Sequence, residues 1–176
     1  MAIPSEYVIG TNAMLKHDKH TGDVRRVCIA PDSAHFASMG FDKSAIFFVR
    51  SKDTEAGAGT SRVERRAVGI FGGEVFSGTY HHTASDLFFC GTFDGKISLL
   101  NAENGKKLKV FGGHRGPVYG VSACAVTNSI ATVSEFRPRG DGKVKEGKME
   151  VWSDDGETCI RAVEFKTLLR GVFHRR

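Results

Sequence analysis

The stretch FCGTFDGKISLLNAENGKKLKVFGGHRGPVYGVS, Phe89–Ser122, decides the fold. Four short apolar runs alternate in it with three polar turns, and runs of about five residues separated by such turns read as strands with almost nothing left over. The turn AENG carries Asn104-Gly105, a pair that suits the positive backbone angles of a hairpin.

Working outward, the same pattern returns on both sides. HTGDVRRVCIAPDSAHFASMGFDKSAIFFVR starts at His20, FGGEVFSGTYHHTASDLFFCGTFDGKISLLN at Phe71, and HRGPVYGVSACAVTNSIATVSE at His114, resuming at KMEVWSDDG. In each, a Val (Val24, Val75, Val118) follows the opening residue at a fixed distance and begins a strand. The second strands are HFASMG, LFFCG and SIATVS, and the first two end in a tight turn with Asp42 or Asp94. A third strand then places Phe48, Leu100 and Trp152 at even spacing along the chain. Fourth strands follow at RRAVGIF, KKLKVFGG and ETCIRAVEF, the first after a Gly-rich polar insertion, SKDTEAGAGTSRVE. Each unit is expected to be a four-stranded antiparallel meander of roughly 40 to 50 residues, and self-similarity at that period indicates a repeat architecture.

A unit that opens with Gly113-His114, carries Asp after its second strand and Trp near the end of its third resembles a WD40 repeat, one blade of a β-propeller. The expected fold is therefore all-β: about three WD40-like four-stranded blades, a partial β-propeller. The organisation is an N-terminal segment (1–19) whose Tyr7–Ile9 could serve as a ring-closing strand, three blades (20–70, 71–113, 114–165), and a basic C-terminal tail (166–176). The resemblance implies a hydrogen-bonded chain tying each blade's strands together. The residues at its positions are His20, Ser38 and Asp42 in the first unit, Asp94 in the second, and His114, Thr132 and Trp152 in the third. Phe48 stands for Trp in the first unit, and Phe71, Cys90 and Leu100 replace the other partners in the second. The blades are degenerate and are expected to depend on apolar packing.

Three blades are too few for a ring, which needs at least about four. The open ends are expected to be completed by further blades of a longer chain, by another chain, or by a second copy about a two-fold axis.

Composition is that of a packed domain, with 40% hydrophobic residues and thirteen Phe among 176. No run approaches the roughly 18 apolar residues of a membrane span, and MAIPSEYVIGTN is unlike a secretion signal. This argues for a cytoplasmic or nuclear protein that is neither secreted nor membrane-bound. Cys28, Cys90, Cys124 and Cys159 form no Cys-x-x-Cys pair and read as buried free thiols.

Chemistry is sparse. Gly72-Gly73 and Gly112-Gly113 fall between blades with no Gly-Lys-Ser/Thr after them, so no phosphate loop is expected. Ser122 and Ser134 lack a nucleophile elbow. The pair His81-His82, with His35 in the matching region of the first unit, shows no third metal ligand nearby, and a solvated turn is expected. Arg139-Gly140-Asp141 spells an integrin-type tripeptide, which without a secretion signal reads as coincidence. No enzyme, cofactor, metal or small-molecule substrate is expected.

Two functions remain. The first is a scaffold for other protein subunits. By the resemblance, its top face lies at Asp23, Arg25, Phe41, Glu74, Phe76, Phe93, Pro117 and Tyr119, with Phe41, Phe93 and Tyr119 as exposed aromatic anchors. The second is a ribonucleoprotein component touching RNA phosphates, or an acidic partner, through the loop Glu135–Lys148 (Arg137, Arg139, Lys143, Lys145, Lys148) and the tail (Lys166, Arg170, Arg175, Arg176). Formal charge is +5, and basic residues without interleaved aromatics give salt-sensitive backbone affinity rather than base reading.

Overall fold

The structure, a computed structural model, describes residues 20–52, 61–136 and 146–165. Over these residues the chain is all-β, with twelve strands in three four-stranded antiparallel sheets and no closed barrel. The first sheet is a meander of β1 (Val24–Ile29), β2 (His35–Gly40), β3 (Ser44–Lys52) and β4 (Ser61–Ile70). The second is β5 (Val75–Tyr80), β6 (Leu87–Thr92), β7 (Ile97–Asn101) and β8 (Lys107–Phe111). The third is β9 (Val118–Cys124), β10 (Ser129–Phe136), β11 (Glu146–Ser153) and β12 (Cys159–Phe165). Each sheet is one blade of a partial propeller, with β5 packed between β1 and β9. Among the described residues no helix is long and apolar enough to cross a membrane.

Turn chemistry sets the hairpins. Gly105, between β7 and β8, has φ of 72°, and a Cβ there would lie 2.4 Å from the Val68 carbonyl oxygen of the first blade. Only glycine meets both demands. Between β2 and β3 the left-handed position falls to Lys43, at φ 63°, where the second blade has Gly95.

Two hairpins are longer than the sequence reading expects. β3 and β4 run on into the Gly-rich insertion and pair as far as Lys52 with Ser61. β10 and β11 likewise pair out to Phe136 with Glu146. Thus Glu135, Phe136 and Glu146–Lys148, expected in a loop, lie on strands, because the register set by the inner part of the hairpin carries outward.

Packing between blades is apolar. Ala37, Met39, Ala45 and Phe47 of the first blade meet Val75, Phe88, Cys90 and Leu100 of the second. Phe89, Ile97 and Phe111 of the second meet Val118, Val121 and Ile130 of the third, with Trp152 against them. Phe88, fully buried, has the rings of Phe47 and Tyr80 edge-on at 5.1 and 5.0 Å; its burial contributes roughly 1.5–3 kcal/mol. Polar groups are buried alongside this core, Ser77 among them. The hydroxyl of Ser77, on β5, accepts Arg26 Nη1 from β1 at 3.2 Å and the Val121 backbone N–H from β9 at 3.1 Å, joining all three first strands.

The cysteines divide. Cys90 is buried and Cys28 half-buried, and burial pushes the Cys28 thiol up to about 12, Arg26 pulling the other way. Cys124 and Cys159, expected to be buried, are exposed, Cys124 at the very end of β9 and Cys159 at the start of the edge strand β12. Among the described residues no disulfide is formed.

Candidate functional site: an aromatic face built on three bulges

The first strand of every blade pairs with the second through the same irregularity. Val24 and Arg26 take consecutive partners Gly40 and Met39, Val75 and Ser77 take Thr92 and Gly91, and Val118 and Gly120 take Ser134 and Val133. One residue is left over each time: Arg25, Phe76 and Tyr119. A bulge re-aims a side chain out of the ladder. Three bulges at equivalent positions place these residues side by side across adjacent blades.

Phe76 is the centre of the resulting cluster. Its ring lies 5.3 Å from Phe41, 5.9 Å from Phe93 and 5.2 Å from Tyr119, centroid to centroid, edge-on to Phe41 and Tyr119 and stacked with Phe93. Arg25 caps it, with Cζ 4.8 Å from the Phe41 centroid and 5.9 Å from that of Phe76, within cation–π reach. Phe93 and Tyr119 are 52% and 40% exposed. Phe41, expected as a third exposed anchor, is half-buried because Arg25 and Phe76 lie on it.

The loops that carry the outer rings are pinned in the same way in two blades. Phe41 N donates to the Asp23 carbonyl at 3.0 Å, and Phe93 N to the Glu74 carbonyl at 2.8 Å. Asp23 is exposed, and Glu74 and Pro117 are half-buried. The aromatic positions and Arg25 thus come together; for Asp23, Glu74 and Pro117 the shared feature is the loop that opens each blade.

The polar chains of the first and third blades are built differently. In the first, Asp42 accepts from His20 Nδ1 at 2.9 Å, from Ser44 Oγ at 2.7 Å and from Thr21 N at 2.9 Å, while His20 Nε2 meets Ser38 Oγ at 2.8 Å. Burial would raise the Asp42 carboxyl, but the hydrogen bonds from Ser44, His20 and Thr21 outweigh it and hold it below its ordinary 3.8. In the third, His114 Nδ1 meets Ser134 Oγ at 2.7 Å, and its Nε2 lies 2.8 Å from Thr132 Oγ1 and 3.2 Å from Glu150 Oε2. Burial lowers His114 below its ordinary value against the pull of Glu150. Glu150, on β11 directly opposite Thr132, supplies the acid that the sequence left unassigned. Trp152 stands outside this chain: its indole lies 5.4 Å from the Phe111 ring, and its Nε1 has no hydrogen-bond partner among the described residues.

In the second blade Phe71, Cys90 and Leu100 are buried in the core between blades, and Lys107 Nζ sits 4.8 Å from the Phe71 ring. Asp94 is confined to its own turn, bonded by Thr92 Oγ1 and paired with Lys96 Nζ at 3.1 Å.

A third polar group joins the histidine pair. Asp154, from the β11–β12 turn, brings an oxygen 3.8 Å from His81 Nε2, and one ligand atom from each of His81, His82 and Asp154 lies within 4.8 Å of the others. The imidazoles are stacked, 4.3 Å apart and inclined by 26°. Near-parallel rings aim their in-plane lone pairs side by side, whereas a single ion needs them to converge. Burial, with His82 adjacent, lowers His81 below its ordinary value. His35 is elsewhere, its Nδ1 on Asp32 at 2.5 Å.

Of the basic residues singled out by sequence, Lys148 lies on β11 and its Nζ is held by Glu150 Oε1 at 2.5 Å. Arg137, Arg139, Lys143, Lys145, Lys166, Arg170, Arg175 and Arg176 lie outside the described residues, as do the tripeptide Arg139-Gly140-Asp141 and Tyr7–Ile9. No family model matches the chain, and no curated protein matches it.

Proposed function

We propose that the chain is a non-catalytic scaffold of WD40 type, which binds other protein subunits through the face centred on Phe76. The observation that carries this reading is the trio of equivalent bulges, which spend regular ladder pairing to set Arg25, Phe76 and Tyr119 next to Phe41 and Phe93. Aromatic and Arg side chains dominate binding energy at protein interfaces. A guanidinium over two rings adds a donor at their edge, suited to a backbone carbonyl or a carboxylate of an incoming segment.

The Ser–His–acid groupings His20/Ser38/Asp42 and His114/Ser134/Glu150 share their residue types with hydrolytic triads, and a structural role fits them better. Each is centred on the histidine that opens its blade, the partners of the two histidines differ in position, and in the third blade Ser134, His114 and Glu150 are 2%, 6% and 4% exposed, sealed from any substrate. Hydrogen bonds from His20 to Ser38 and from His114 to Thr132 and Ser134 tie each blade's opening to its second strand.

The test is selection of a random peptide library on the folded chain, followed by fluorescence anisotropy of the enriched peptides. Phe76→Ala is expected to weaken binding by at least about tenfold, the range of an interface hot spot, and Val126→Ala, at a side chain 93% exposed elsewhere, to leave it unchanged. Peptides that bind both variants alike would count against the reading. The ribonucleoprotein alternative is separable: it requires filter retention of RNA that falls with salt and is lost when Arg137, Arg139, Lys143 and Lys145 are all changed to Ala.

A further inference from the structure

The three blades are stacked so that equivalent residues of the second and third pack against the blade before. Val75 and Tyr80 in the second, and Val118 and Val121 in the third, are 0%, 4%, 0% and 5% exposed. Their counterparts on β1, Val24, Val27 and Ile29, are 52%, 60% and 69% exposed. Phe36 and Phe48, equivalent to the fully buried Phe88 and Leu100, stack on each other at 5.0 Å and are only half-buried. A shallow apolar hollow lies among Val27, Ile29 and Phe36.

The molecule itself shows what covers such a face. Ala37, Met39, Ala45 and Phe47 cover the second blade, and Phe89 and Ile97 cover the third. The equivalent surface of the third blade, carrying Ala131, Met149 and Val151, is half-buried, and among the described residues no fourth blade lies on it. The described residues therefore present the two complementary halves of one interface that the chain already makes twice internally. Among the described residues β1 packs against β5, the surface of the second blade, so these two halves are not the surfaces joined within the chain.

We infer that a second copy of this chain supplies the missing contact, the outer face of the first blade seating on the outer face of the third in its partner. A two-fold axis then makes this contact twice and closes three blades plus three into one ring, which satisfies both exposed faces at once. The partner's face is recognised by shape and apolarity, as in the two internal interfaces. This inference is independent of the aromatic face, which lies on the bulges and not on these sheet surfaces.

The experiment is light scattering behind a sizing column over a wide concentration range, on the chain and on Ile29→Asp. The wild-type mass is expected to plateau at twice the chain mass of 19.2 kDa. Ile29→Asp, at an exposed position that leaves the monomer core intact, is expected to shift the midpoint of dissociation at least about tenfold, because it buries a carboxylate in the contact. Val126→Asp, 93% exposed on a turn, controls for added charge. A wild-type mass of one chain at every concentration would overturn the inference, and so would a mass that climbs without a plateau or a dimer indifferent to Ile29→Asp. Matching circular dichroism spectra for the variants exclude unfolding as the cause of a loss.

Discussion

Replacing Ser77 by Ala tests how the blades are held at their inner edge. The side chain is fully buried, and its hydroxyl takes hydrogen bonds from Arg26 of the first blade and from the backbone of Val121 of the third. Ser77→Ala leaves the Val121 N–H in the core without an acceptor, which costs about 1–3 kcal/mol. The guanidinium of Arg26 is half-exposed and can turn to water, so its loss adds about 1 kcal/mol or less. The expected destabilisation is about 2–3 kcal/mol, which for a chain of this size lowers Tm by roughly 5–10 °C. Urea denaturation followed by fluorescence should show a lower midpoint at an unchanged slope. Arg26→Met, which removes the donor and spares the Val121 bond, should cost less than about 1 kcal/mol. A loss below about 0.5 kcal/mol for Ser77→Ala, or one matched by Arg26→Met alone, would refute the reasoning that an orphaned backbone donor carries the effect.

Three further outcomes follow from the same packing. Phe88→Ala removes a fully buried ring wedged between Phe47 and Tyr80 and should cost about 3–5 kcal/mol in equilibrium denaturation. Lys43→Gly relieves a left-handed residue at φ 63° and should stabilise the chain by up to about 1 kcal/mol, the steric gain exceeding the added freedom of the unfolded chain. Asp42 has a folded-state pKa below its ordinary 3.8. The stability it confers is complete above that value and disappears as pH falls through the lower folded one, so Asp42→Asn should flatten the acid limb of the stability profile below about pH 4 and leave its slope near neutrality unchanged.

The architecture was legible because its signals are local or repeated. Phe48, Leu100 and Trp152 recur evenly since each fills the same place on the leading side of its blade, and Asn104-Gly105 marks a turn whose geometry the structure shows at Gly105. Arg25, Phe76 and Tyr119 could be placed on one face by the resemblance to WD40 blades. The bulges that aim them could not, because a bulge is a mismatch between two strands and leaves no mark in either alone.

Glu150 was hidden for a related reason. Its partner Thr132 is a cross-strand neighbour in a hairpin whose register depends on how far β10 and β11 extend, and the even spacing of the third strands does not report that. Asp154 was hidden because it meets His81 from another blade. The half-buried Trp152 resembles a member of the polar chain in sequence, yet its place is set by the Phe111 ring. The extension of β3 and β4 into a Gly-rich segment shows ladder pairing overriding weak strand propensity.

The account stands on the face centred on Phe76, and the most direct measurement is an amide-resonance titration of the labelled chain with a peptide selected for binding to it. Shifts confined to Arg25, Phe41, Phe76, Phe93, Tyr119 and their immediate neighbours are predicted. Shifts centred on the exposed strand face around Val27 and Ile29, with the Phe76 cluster unmoved, would contradict it.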